Sequence, residues 1–247
     1  MASGTTTMTI VHSTGVFTHN VLWCHCPGSG HQQHSQLLKA GLFPASISRP
    51  QTAFTFDVLD HFLIDALECK TSAMSFFQKL CRLTNNASPD SVPDRYHELM
   101  RVSHQFRDLM NQKRFGFGHD MEVKPGAGQL ALFCPACPQP GVNMPLSWQD
   151  KWLIMQRYVV DGNFTAQHMN MKQPHLDVTL SDGLGYMVTE GDYQVHLSSA
   201  VENEKKPSCS NHRAVNVANT NRMAATACAH HGCFVPHSVV DFQKGEQ

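Results

Sequence analysis

Sulfur and imidazole carry most of the chemistry open to this sequence, which holds 9 Cys and 16 His. They fall in clusters. Cys134-Pro-Ala-Cys137 is a C-x2-C knuckle, with a proline after each cysteine to hold a tight turn. Cys209-Ser-Asn-His212 is a C-x2-H pair, and Cys228-Ala-His230-His231-Gly-Cys233 is the densest group. Zinc takes four N or S ligands in a tetrahedron, and two short-spaced pairs from distant segments are the usual source. Cys134 and Cys137 with Cys209 and His212 make a set of three thiolates and one imidazole, and the group containing Cys228 and His231 competes to supply the second pair. A single such pair reads equally well as free thiols and surface imidazoles. Several clusters in one chain point to at least one structural Zn2+.

Cys24-x-Cys26, with His12, His19, His25 and His31 nearby, offers two ligands and needs two more. Histidines complete it, or the ligands lie before Met1; the second reading is preferred. Cys69 and Cys81 stand alone in helical pattern and should pack as small apolar groups. Among the acids Asp161 stands out. It follows the apolar run 151–160 and opens Asp161-Gly-Asn-Phe164, a place where a carboxylate can hold Mg2+. An Asx turn closing a strand explains it too. Two-metal phosphoryl chemistry needs two or three convergent carboxylates, and Asp177, Asp182, Asp192 and Asp241 lack comparable context. There is no phosphate loop, no G-x-S-x-G elbow and no His-Glu-x-x-His.

The elements that must position these groups fall into three zones. Residues 8–24 read as a hairpin about Thr14-Gly15, and 26–53 as a Gly/Pro/Ser/Gln-rich connector with a short helix at 33–40. Residues 55–112 are helical, with Thr55 capping a first helix, Ser72 opening a second, a breaker at 85–93 and a third helix ending near 115–118. Beyond 119, a buried strand is expected at 151–160, further strands at 184–189, 193–197 and 233–242, and a helix at 212–224. The fold class is α+β, divided as 1–53, 54–118 and 119–247.

The 247 residues allow one large domain or two small ones. The net charge of -1 argues against DNA binding by bulk electrostatics. No run approaches the roughly 20 apolar residues of a spanning helix. The N-terminus shows no basic stretch leading into an apolar one, so no targeting signal is read, and the cysteines are expected reduced.

Several strings share an order with a known family. They are Gln36-Leu-Leu, Gly41-Leu-Phe-Pro-Ala45, Arg49 to Phe56, Cys69-Lys-Thr-Ser72, Asp94-Arg-Tyr96 and Leu130 to Pro138. Asp161-Gly-Asn-Phe164, Cys209-Ser-Asn-His212, Ala227-Cys-Ala-His230 and Asp241 to Glu246 follow. In this order, from about residue 11 to the end, the chain resembles the Kyakuja-Dileera-Zisupton (KDZ) transposases, abundant in fungal genomes. Its N-terminal part resembles their associated cysteine-cluster (CxC) domain.

The resemblance implies a DDE nuclease with an RNase H-like core, acting on DNA in the nucleus with Mg2+ or Mn2+. Residues 1–53 would be the C-terminal half of the cysteine cluster, 54–118 a helical region, and 119–247 a partial core with zinc-binding insertions. Asp161 would be the first catalytic acid. The family's second and third acids are expected beyond Gln247 and its first cysteine pairs before Met1, so the chain is expected to be a catalytically inactive fragment. Near Arg222–Thr226 the family has a longer Gly-containing segment, which suggests a small deletion. The alternative is a domesticated zinc-binding module that contacts DNA or protein, and a histidine-based hydrolase ranks third.

Overall fold

The computed structural model describes residues 5–25, 32–120, 122–145, 155–163, 179–204 and 222–242. They form two compact units, Met1–Met110 and Asn111–Gln247.

In the first unit, β1 (Thr5–His12) and β2 (Gly15–Leu22) pair antiparallel, Val11 opposite Val16 and His12 opposite Gly15. Gly15 lies in the positive-φ region at +149°, and a Cβ there would fall 2.7 Å from Thr84 Oγ1. The hydroxyl of Thr84 in turn accepts from the Val16 N–H at 2.8 Å. The glycine thus lets the end of a helix press onto the hairpin.

The hairpin is half of a larger sheet. After α1 (Gln33–Lys39), β3 (Leu42–Pro44) and β4 (Thr52–Thr55) give the order β2-β1-β4-β3, with β4 parallel to β1. The stretch expected to be only connector and helix therefore contributes two strands. They are three and four residues long, and their pairing with β1 defines them more than any alternation of their own.

Being central, β1 is covered on both faces. Val11, Val16, Phe43 and Phe54 face the helices, while Met8 and Ala53 meet Trp23 and Leu37 on the other side. The Trp23 indole N–H donates to Thr6 Oγ1 at 2.9 Å, so its polar edge is satisfied in a largely buried position.

Three helices cover the first face. In α2 (Phe56–Glu68) Val58, Leu59 and Phe62 are buried; in α3 (Ala73–Thr84), Ala73, Phe76, Phe77 and Leu80. In α4 (Tyr96–Arg114) the buried side chains are Leu99, Val102 and Phe106. The spacing of three and four residues draws one apolar stripe along each helix.

Both anticipated caps form. Thr55 accepts from the Val58 N–H and Ser72 from the Ser75 N–H, each at 3.2 Å. Thr55→Ala should therefore lower stability by about 1 kcal/mol in urea unfolding, and Thr55→Asp should restore most of it. Between α2 and α3, Asp65 receives Lys79 at 2.5 Å, and the same ammonium lies 4.5 Å from the Phe76 ring centroid.

The lone cysteines divide. Cys81 packs against the core, but Cys69 is exposed, because it caps the C-terminus of α2 where the chain turns away.

In the second unit β5 (Tyr158–Asn163), β6 (Arg222–Cys228) and β7 (Val240–Phe242) form an antiparallel meander. Cys228 is opposite Tyr158, and Ala225 opposite Asp161. Five expectations are corrected here. Of the strand expected at 151–160, residues 155–157 are not strand, β5 takes in 158–160 and runs on to Asn163, and 151–154 lie outside the described residues; Val159 and Val160 are exposed rather than buried.

The strand expected at 193–197 is a helix, α5 (Glu190–Glu204). Asp182 Oδ1 accepts from its first N–H at 3.1 Å, and Glu190 and Asp192 place negative charge at its positive end. Those local preferences outweigh the strand tendency of Tyr193 and Val195.

Residues 184–189 make only a single bridge, Met187 to Val239, and the strand expected at 233–242 shrinks to β7 and a bridge from Phe234 to Ala227. Where 212–224 was expected helical, Arg222–Ala224 begins β6; the rest of that stretch lies outside the described residues. No helix among the described residues is long and apolar enough to cross a membrane.

Candidate metal centre

Two chain segments converge at the end of the β5–β6 ladder. Cys134 and Cys137 sit on the knuckle, where the Cys137 N–H reaches the Cys134 carbonyl at 3.3 Å. Asn143 Nδ2 bonds the Cys137 carbonyl at 2.8 Å, and Gln139 Nε2 bonds the Cys134 carbonyl at 2.9 Å, pinning the knuckle from outside.

Cys228 is the last residue of β6. The chain then turns, with Gly232 at φ +67°, closed by Gly232 N–H to Cys228 O at 2.9 Å and Cys228 N–H to Cys233 O at 2.8 Å. That turn carries His231 back over the sulfurs.

The ligand atoms of Cys134, Cys137, Cys228 and His231 all lie within 4.8 Å of one another; the three cysteines are buried and the histidine exposed. Cys137 and Cys228 sulfurs are 3.2 Å apart, and His231 Nδ1 is 3.3, 3.5 and 3.8 Å from the sulfurs of Cys134, Cys228 and Cys137. Tetrahedral zinc with bonds of roughly 2.3 Å to sulfur and 2.0–2.1 Å to nitrogen has S–S edges of about 3.8 Å and S–N edges of about 3.5 Å. The donor set and the sulfur–nitrogen distances therefore fit zinc bound through His231 Nδ1, while the Cys137–Cys228 sulfurs stand closer than a zinc-bound pair and would part to admit the ion.

The pair that converges on the knuckle is Cys228 and His231, one of the two sources the spacing left open. Cys209, His212 and Cys26 lie outside the described residues. Cys24 is exposed, and its backbone N–H is bonded to Gln36 Oε1 at 3.0 Å. Cys233 packs against the three buried cysteines and is a member of the cluster that ligand spacing alone did not single out.

Crowding sulfurs divides their proton affinities. Cys228 is drawn down to about 6, chiefly by its bond with the Cys137 thiol and further by the His230 N–H. Cys137, the other side of that bond, is pushed up to about 12, chiefly by Cys228 and then by burial. Burial opposes ionisation of Cys134, yet the Ala136 N–H and the Cys137 thiol hold it below its ordinary value. His231 is raised by Cys228, against burial, and further by Cys134. One thiolate is thus prepared before metal arrives.

The sign of the pH effect follows. Above about pH 6 the Cys228 thiolate is free; below it, metal must displace one more proton. Competition titrations should show the slope of log apparent zinc affinity against pH steepen by one as pH falls through about 6. An unchanged slope there would mean that Cys228 is not ionised in the free protein.

Asp161 lies inside β5 rather than at its end, and is exposed. Its Oδ1 accepts from the Gly162 N–H at 2.7 Å. Among the described residues the convergent donors are the Cys/His set alone, so these residues do not fit a two-metal carboxylate site.

Fold and centre together define an α+β protein in which three cysteines and a histidine bring a knuckle to the end of a strand. A family model for the CxC2-like cysteine cluster associated with KDZ transposases matches residues 1–88. One for the Kyakuja-Dileera-Zisupton transposase matches residues 155–247. The chain belongs to the KDZ transposase family. Cys228 and His231 fall inside the transposase match, whereas Cys134 and Cys137 fall between the two matches. No curated protein and no solved structure matches the chain.

Proposed function

We propose that this chain is a transposase-derived protein whose 247 residues bind zinc structurally and do not by themselves cut DNA. The observation that carries the reading is the contrast between two sets of donors. Three thiols and an imidazole converge, while Asp161, exposed on β5, belongs to no group of three or more metal-holding side chains among the described residues. Strand cleavage by two metals needs convergent carboxylates to hold both ions.

The meander order β5-β6-β7, with Asp161 on the first strand, supports reading this unit as the opening strands of an RNase H-like core. In that reading Asp161 is the vestigial first acid, and zinc fixes the end of β6 beside it. Mg2+ or Mn2+ would belong to a fuller acid set.

The family points to DNA as the partner and the nucleus as the place of action. The net charge of -1 argues that this piece grips DNA weakly. A second reading, a zinc-stabilised module that contacts DNA or protein, is favoured by the four-donor centre.

Nuclease assays with Mg2+ or Mn2+ test the main reading. Parent and Asp161→Ala should both leave plasmid and oligonucleotide DNA intact. Cleavage by the parent that Asp161→Ala abolishes would overturn it. For the second reading, salt-dependent DNA binding that disappears with chelator would favour DNA as the partner.

A further inference from the structure

The turn that closes the metal centre brings round one sulfur more than tetrahedral zinc requires. Cys233 packs beside the buried Cys134, Cys137 and Cys228 and is itself only partly buried. Its Sγ lies 3.9 Å from the His231 carbonyl, so it sits on the same turn as the histidine it accompanies. The four primary donors are not alike in setting. Three are buried, and His231, the fourth, is exposed. An exposed imidazole can rotate out to water at little cost, whereas a buried thiolate cannot.

We propose that Cys233 is a reserve ligand. The centre holds zinc through three thiolates and His231, and through four thiolates when His231 swings away. The exchange breaks the bond from zinc to His231 Nδ1 and forms one to Cys233 Sγ. The Cys233 proton passes to the released imidazole or to solvent, and no oxidation state changes. Soft thiolate donors suit zinc as well as imidazole does, so the two forms can both be occupied.

Gly232, in the positive-φ region between the two donors, has open space where a Cβ would stand, so no side chain comes between His231 and Cys233 on the turn. The consequence is a centre that keeps four ligands while one side chain is free. Metal could then leave for, or arrive from, a thiol-rich donor by stepwise exchange rather than by opening the whole site.

This inference rests on the zinc reading, and cobalt titration of the full chain separates the two. The parent should bind Co2+ with tetrahedral thiolate absorption. His231→Ala should keep binding, with stronger thiolate-to-cobalt bands as a fourth sulfur enters. Its loss of affinity should not exceed the roughly 10–100-fold typical of an outer-shell change. Cys233→Ser alone should lower affinity by no more than a few fold and remove only the four-thiolate component of the spectrum, and the double variant should lose far more than either.

If His231→Ala loses as much as the double variant, Cys233 does not enter and the inference falls. If Cys233→Ser alone costs as much as Cys228→Ser, Cys233 is a primary ligand and the inference falls as well. A parent chain that binds no Co2+ would sink the zinc reading itself, and this one with it.

Discussion

Purified protein should carry one zinc ion per chain, and stripping it should unfold the Asn111–Gln247 unit while leaving the Met1–Met110 unit folded. The reason is the unequal cores. The first unit buries Phe54, Phe76, Leu59, Leu80, Leu99 and Val102 nearly completely, in one cluster that joins sheet and helices. In the second, the buried apolar side chains among the described residues are Leu130, Ala131, Ala224, Val239 and the ligands Cys134, Cys137 and Cys228. Without metal those three sulfurs are a poor core, and with it they are the strongest link in the unit.

Structural zinc contributes of order 10 kcal/mol in small zinc domains at neutral pH, as much as a whole domain's net stability. Hydrogen exchange reads the outcome. After chelation, amides of the β5–β6 ladder should lose protection while those of α2, α3 and α4 keep it. Cys137→Ser should reproduce the chelated pattern. Protein that contains no stoichiometric zinc, or a ladder that stays protected after chelation, would exclude a structural role for the metal.

Away from the metal ligands, the largest single-residue effect should be Phe76→Ala, with a loss of about 3–5 kcal/mol. Phe76 is fully buried, its ring 4.9 Å from that of Phe62 and edge-on to His61 at 5.4 Å. It also lies beneath the Lys79 ammonium that reaches Asp65 from α3 to α2. Truncation leaves a cavity between α2 and α3 and removes the face on which the cation rests. Phe76→Leu should recover most of the loss in urea unfolding. Equal losses for Ala and Leu would mean that the aromatic contacts, rather than filled volume, hold this corner.

Part of the centre was legible in the sequence, because ligand chemistry is local: the proline-bounded pair Cys134 and Cys137 reads equally well as free thiols when taken alone, and pointed to metal only beside the other Cys/His clusters. Which second pair joins them was not legible. Cys137 and Cys228 are 91 positions apart, and only the path of the chain decides that they meet. Among helices, Thr55 and Ser72 announced their caps through side chains that bond their own backbone. Strands β3 and β4 had no such signal. A four-residue run, Thr-Ala-Phe-Thr, becomes a strand because β1 offers it a partner, not because of its own pattern. Tyr193 and Val195 misled in the opposite direction, since a helix start at Glu190 set their conformation.

The same separation has a further meaning for how this chain can change. Closing a flexible segment costs entropy that grows only with the logarithm of its length, about 0.6 kcal/mol for each doubling. A metal clasp between Cys137 and Cys228 is therefore nearly indifferent to how many residues run between its jaws. Insertions and deletions within that span leave the clasp standing as long as the knuckle, β5 and the end of β6 survive. The metal holds the two rims together, and lineages are free to rewrite the text between them.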